Sequence, residues 1–164
     1  MSEEMISVSR MSRDIRSAAT KLGDDEVRYL IDAYYMQQEM RMGNAARARE
    51  LEKNEEPNSI FVWLSEQEGI LEAQIKGALD RYTKSHVMGS WMRNVHGIGP
   101  IISAGLLAHI DIQKCPSVGH IYSFAGLVPG VRWEKGQRRP WNARLKTICW
   151  HAGQGFKRFS GDDK

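Results

Sequence analysis

Cysteine is scarce in this 164-residue chain: Cys115 and Cys149 are its only thiols. Two scattered cysteines make neither a disulfide framework nor a metal-type pair, so both are expected to act as small buried hydrophobes. Long apolar runs are missing too. No stretch approaches the roughly 18 uninterrupted apolar residues of a membrane helix, so no membrane partner is expected. The opening Met-Ser-Glu-Glu lacks the basic and apolar regions of a secretory signal, which makes a cytoplasmic location the expectation. Among the histidines, His96, His109, His120 and His151 include no pair at zinc-site spacing, so no transition metal is expected. Strand-type alternation is absent from roughly the first ninety residues. What remains is an ordinary globular composition, 41% hydrophobic and 26% charged, long enough to bury one core without disulfides.

Helical spacing is what the chain does have. Asp24 is a plausible N-cap, followed by Val27, Leu30, Ile31, Tyr34, Tyr35 and Met42, with weaker continuation through Ala45, Ala46 and Leu51. Asn54 to Ser59, containing Pro57, breaks the pattern with a turn. Ile60, Leu64, Leu71, Ile75, Ala78, Leu79 and Tyr82 then share one face of a second helix. Two amphipathic helices joined by a short turn form an antiparallel hairpin. Arg41, Arg47 and Arg49 lie close to Glu39, Glu50 and Glu52, which reads as a solvated helix end laced with salt bridges. The fold expected is all-α. Residues 1–22 form a flexible or frayed arm, 23–88 a helical hairpin that suits dimerisation, 89–159 a compact helical module, and 160–164 a tail. Within this scheme Ser85 to Met92, with Gly89, is a connector.

The most informative stretch is Val95-His96-Gly97-Ile98-Gly99-Pro100, running into Ile101-Ile102-Ser103-Ala104-Gly105-Leu106-Leu107. Two glycines flanking one apolar residue allow a sharp turn with outward-facing amides. Pro100 suits the first position of the helix that follows. Amides beside a helix N-terminus favour an anion, which on nucleic acid is a phosphate. Taken alone, a Gly-x-Gly more often marks a loop that simply reverses the chain between packed helices.

Its surroundings extend the pattern. Gly97-Ile98-Gly99-Pro100 and an Ala-x-Leu-Leu-Ala-type helix are followed by Phe124-Ala125-Gly126-Leu127-Val128-Pro129 and a basic segment before Asn142-Ala143-Arg144-Leu145-Lys146. In this order, residues from about 95 to 156 resemble the C-terminal helix-hairpin-helix domain of DEDD-type, bridge-RNA-guided insertion-sequence transposases. The resemblance implies a helical module that contacts nucleic-acid backbone, and with it the monovalent cation that such hairpins often hold. Helical segments serve assembly in those transposases, which adds to the homodimer expectation. Two departures stand out. The family's nuclease-like domain with its acidic tetrad has no counterpart here. Its recombinase serine, placed shortly after Gly-Leu-x-Pro, meets Trp133-Glu134-Lys135-Gly136, with Glu134 nearest. A carboxylate is anionic and repels the phosphate that a serine would attack, so the serine chemistry does not carry over. Ser123 and Ser160 match the position no better.

Charge is distributed unevenly. Between Gly130 and Arg158 lie Arg132, Lys135, Arg138, Arg139, Arg144, Lys146, Lys157 and Arg158 against the single acid Glu134. Eight against one gives +7 where the whole chain carries +3, leaving −4 for the remainder. Such a patch suits a polyanion. Trp133, Trp141, Trp150 and Phe156 are interleaved with it. Large aromatics usually anchor packing, so they are expected to close a small core; the alternative is stacking on unpaired bases.

These features point to a non-catalytic nucleic-acid-binding protein of mobile-element or phage type, with DNA the foremost ligand and structured RNA the next. The candidate contacts are Gly97, Ile98 and Gly99 for backbone phosphate, with Arg132, Lys135, Arg138, Arg139, Arg144 and Lys146 for the electrostatic footprint. One alternative is a protein-interaction factor, such as a phage-encoded inhibitor of a host nuclease. Another is a recombinase or nuclease remnant holding a divalent metal through Glu134, Asp111 or an acidic partner chain. Two-metal chemistry needs several converging carboxylates, and the basic segment offers one.

Overall fold

The two long amphipathic patterns become two long helices, α2 (Asp24–Lys53) and α3 (Ser59–Ser85), packed antiparallel. The structure is a computed structural model and describes residues 9–161. Ahead of the pair stand α1 (Arg13–Ala18) and one 3-10 turn (Ala19–Lys21). After it come α4 (Val87–Met92), α5 (Pro100–His109), α6 (Val118–Phe124) and α7 (Ala143–Phe159). The described residues contain no strand. The fold is all-α.

The N-cap of α2 is Gly23, one residue earlier than Asp24. Glu26 reaches back to accept the Gly23 amide at 2.8 Å, and Asp24, Asp25 and Glu26 place negative charge on the positive end of the helix dipole. The α2–α3 turn reverses the chain through Glu55 at φ +57°, with the Glu56 amide returning to the Leu51 carbonyl at 2.9 Å. Of the arm, residues 1–8 lie outside the described residues, as do 162–164 of the tail. The rest of the arm is tied to α3: the Met11 amide donates to Gln74 Oε1 at 2.6 Å, and Ala19 is buried.

The core is a three-helix contact. Val27, Ile31 and Tyr34 of α2 meet Leu79 and Tyr82 of α3 and Ile101, Ala104 and Ala108 of α5. Burying a side chain such as Leu79 completely contributes about 1.5–3 kcal/mol. Polar groups inside the hairpin are partnered. Buried Glu68 accepts from Asn44 Nδ2 at 2.8 and 3.0 Å. Arg41 donates to Glu72 across the hairpin at 2.6 Å, whereas Arg47 pairs locally with Glu50 at 2.9 Å.

Two elements differ from the sequence expectation. The connector from Ser85 to Met92 contains a helix, α4. It packs directly on the end of α3 through Gly89, where a Cβ would sit 2.0 Å from the Thr83 carbonyl oxygen. The tryptophans stay outside the buried core cluster: Trp150 is 60% exposed, Trp133 is half-buried, and Trp141, also half-buried, anchors packing only locally, on Gly126. The core volume is already filled by α2, α3 and α5. Against that body, α7 docks on α5 through Ile148, whose side chain occupies the space a Cβ on Gly105 would need.

Candidate functional site

The loop between α4 and α5 is held from three sides. The Ile98 amide donates to the Val95 carbonyl at 3.1 Å, closing a turn in which Gly97 adopts φ +88°. Arg93 bridges this turn to α3, donating from Nη1 to the Ile98 carbonyl at 2.8 Å and from Nε to Asp80 at 3.0 Å. Burial alone would raise the Asp80 carboxyl, but hydrogen bonds from Lys84 and Arg93 hold it below the ordinary aspartate value. The third side is α7. A Cβ on Gly155 would lie 2.5 Å from the Gly97 carbonyl oxygen, and one on Gly97 would lie 3.0 Å from the Gly155 carbonyl carbon. The two backbones therefore touch, and neither position has room for a side chain.

The result is an open helix N-terminus. Gly99 is the N-cap of α5 and has no side chain to satisfy the first amides, while Pro100 stands at N1. The amides of Ile101 and Ile102 have no intrahelical acceptor in this first turn. Ser103 donates to the Gly99 carbonyl at 2.9 Å and fixes its direction. Around this end lies a cleft of about 610 Å³. Tyr35 and Gln38 come to it from α2, Lys76 from α3, and His151, Gln154 and Arg158 from α7. Among the described residues, no acidic side chain lines it. Tyr35 stacks on His151 at 5.5 Å, and His96 meets Phe159 edge-on at 5.0 Å. A helix dipole, a lysine and an arginine around one cleft favour an anion.

A second feature lies beside the first half of α7. The segment from Gly126 to Asn142 has no regular secondary structure and carries Arg132, Lys135, Arg138 and Arg139 on an exposed path. It is anchored at Trp141 and Asn142. The Trp141 ring lies on Gly126, at φ +67°, where a Cβ would stand 2.5 Å from the ring. The Asn142 amide donates to the Phe124 carbonyl at 2.8 Å, and its side chain caps α7 by accepting the Leu145 amide at 3.0 Å. Arg139 lies 4.9 Å above the Trp133 ring, and Lys146 lies 4.8 Å above that of Trp141. Together with Trp150 they border an open pocket of about 450 Å³.

The nine residues singled out from the sequence thus fall into four places. Gly97, Ile98 and Gly99 border the cleft at α5, although the Ile98 amide is spent inside its own turn. Arg139 and Lys146 converge on the tryptophan pocket. Arg132, Lys135 and Arg138 stay on the exposed segment. Arg144 turns the other way, pairing with Asp32 of α2 at 3.1 Å. Sequence reasoning missed Lys76, Gln154 and the Gly97–Gly155 contact. Only Gly153-x-Gly155, an odd pair inside an amphipathic helix, hinted at a close backbone approach; nothing local marked Lys76.

Elsewhere, Asp111 pairs with Lys114 at 3.0 Å, and Glu134 sits exposed in a turn closed by the Gln137 amide. His120 hydrogen-bonds Ser117 at 2.7 Å at the start of α6. Cys115 and Cys149 are both half-buried, and burial pushes the Cys149 thiol up. No helix of the described residues is long and apolar enough to cross a membrane.

Residues 74–159 match the family model described as Transposase IS116/IS110/IS902 family. No curated protein and no solved structure matches the chain. The matched region runs from the second half of α3 through α7 and so contains the cleft loop, the basic segment and the tryptophan pocket. As it covers just over half of the 164 residues, the chain belongs to the IS116/IS110/IS902 family of transposases.

Proposed function

We propose that this protein is a non-catalytic nucleic-acid-binding member of its transposase family, gripping the phosphate backbone as a helix-hairpin-helix. The observation that carries the reading is the cleft at the N-terminus of α5, lined by Lys76 and Arg158 and, among the described residues, by no acid. One phosphate on the amides of Ile101 and Ile102 would be flanked by both cations. The exposed Arg132, Lys135 and Arg138 would take further phosphates of the same strand or its complement. The family serine is replaced near Glu134, and this supports binding without strand cleavage. DNA is the foremost ligand and structured RNA the second.

Fluorescence anisotropy with duplex, single-stranded and four-way-junction DNA and a structured RNA, over a salt series, tests it. Binding should weaken steeply with salt, because each neutralised phosphate releases condensed counterions. Lys76→Glu/Arg158→Glu should lower affinity for all shapes by a similar factor. Weak, salt-insensitive binding to all four by a folded protein would overturn the reading.

A further inference from the structure

The cleft at α5 accounts for backbone contact but leaves the neighbouring pocket, bordered by Trp133, Arg139, Trp141, Lys146, Thr147 and Trp150, without a role. Its construction is not that of a core. Trp150 is 60% exposed, on a helix whose buried face is supplied by Leu145, Ile148 and Ala152. Indoles are large apolar surfaces, and here one exposed and two half-buried indoles border a single open pocket.

The walls are also set in advance. Trp133 spends its indole N–H on the Gln137 carbonyl at 2.8 Å, which fixes the ring plane. Trp141 is seated on Gly126, where no side chain fits. Trp150 follows Lys146 by one turn of α7, so both point to the same side.

The charges decide the class of ligand. A quaternary ammonium, the usual guest of an aromatic cage, would meet Arg139 and Lys146 already lying over two of the rings. A neutral apolar guest would leave both cations unanswered; among the described residues neither forms an ion pair with a carboxylate. A flat aromatic ring joined to an anion satisfies rings and cations together, and in a nucleic-acid-binding protein that ligand is a nucleotide. It must be unpaired, because the faces of a base within a duplex are covered by its neighbours. The pocket also lies close to the backbone cleft: Trp150 precedes Gln154 by four residues of α7, about 6 Å along the helix axis.

We propose that this pocket receives one unpaired nucleobase of the bound strand, stacked on Trp150, with adjoining phosphates on Arg139 and Lys146. The inference rests on the nucleic-acid reading above and adds a preference for strands that offer a free base.

The test uses the full chain and four probes: a blunt duplex, the same duplex with a single-base bulge, that bulge made abasic, and the bulge carrying 2-aminopurine. Wild type should prefer the bulged duplex to the blunt one by about ten- to a hundredfold, the range expected for one base–aromatic stack. The abasic bulge should lose that preference, and 2-aminopurine fluorescence should be quenched on binding. Trp150→Ala, at an exposed position, should bind the blunt duplex as wild type does but lose both the preference and the quenching. Trp150→Phe should keep most of each. Equal binding to blunt and bulged duplexes, or a preference that survives Trp150→Ala, would overturn the pocket while leaving backbone binding standing. Absence of salt-dependent binding to every probe would overturn both.

Discussion

Where α2, α3 and α5 meet, eight buried side chains from three helices form one core. Between Ile110 and Asn142, by contrast, Ala125 is the one buried residue, and α6 buries none. The first region is apolar, and Arg41 pairs with Glu72 across the hairpin. The second is exposed, basic and held at a few points, chiefly Trp141 on Gly126 and Asn142 between Phe124 and α7. Segments with few buried contacts sit at the low end of local stability, and they are where ligand-contacting residues concentrate. One part of this chain thus carries the buried core, and another carries most of the proposed nucleic-acid contacts. α7 joins them, packing on α5 by one face and bordering both the cleft and the tryptophan pocket by others.

The sharpest way to break that division is inside the core. Leu79→Ala should cost about 2–5 kcal/mol of unfolding free energy, read from a denaturant midpoint, while the folded fraction keeps its nucleic-acid affinity. At the junction the two properties should move together. Gly155→Val forces a side chain into the Gly97 carbonyl; we expect about 1–3 kcal/mol of destabilisation and weaker binding to every nucleic acid in the same variant. Stability loss with unchanged binding would detach the cleft from function.

Smaller effects sharpen the boundary. Asn142→Ala removes the α7 cap and should cost about 1 kcal/mol, read as a lowered thermal midpoint. His109 hydrogen-bonds Asn142 at 3.2 Å, and burial first, then Arg28, push its imidazole below the ordinary value. The unfolded chain therefore binds the proton more readily. Stability should be complete above the unfolded histidine value of about 6.5 and fall as pH drops from there through the lower folded value. His109→Gln should flatten this limb of a stability–pH curve. The smallest change is expected for Arg144→Ala: its pair with Asp32 is exposed, and such pairs contribute about 0–1 kcal/mol.

How much of this was legible beforehand follows the same division. The hairpin of α2 and α3 is readable because three- and four-residue spacing runs from Val27 to Leu51 and from Leu64 to Tyr82, although Met42 and Ile60, counted in that pattern, are exposed. The start of α5 was readable from Gly99-Pro100, a local signal. What could not be read depended on contacts between distant positions. α4 is placed by Gly89 against Thr83, and Lys76 reaches the cleft from a helix that precedes the loop. Arg144 looked like one more member of a basic patch until Asp32 met it. Size alone favours burial of the tryptophans, whereas the core here is built from residues of α2, α3 and α5.

The decisive measurement is the slope of log affinity against log salt for a fixed DNA duplex, with wild type beside Arg132→Glu/Arg138→Glu. We expect a steep wild-type slope that becomes shallower by about two in the variant, at about 0.9 per lost phosphate contact. Thermal midpoints of the two proteins should stay close, since both arginines are exposed. Equal slopes, or a slope change accompanied by unfolding, would contradict a basic segment that grips nucleic-acid backbone independently of the core.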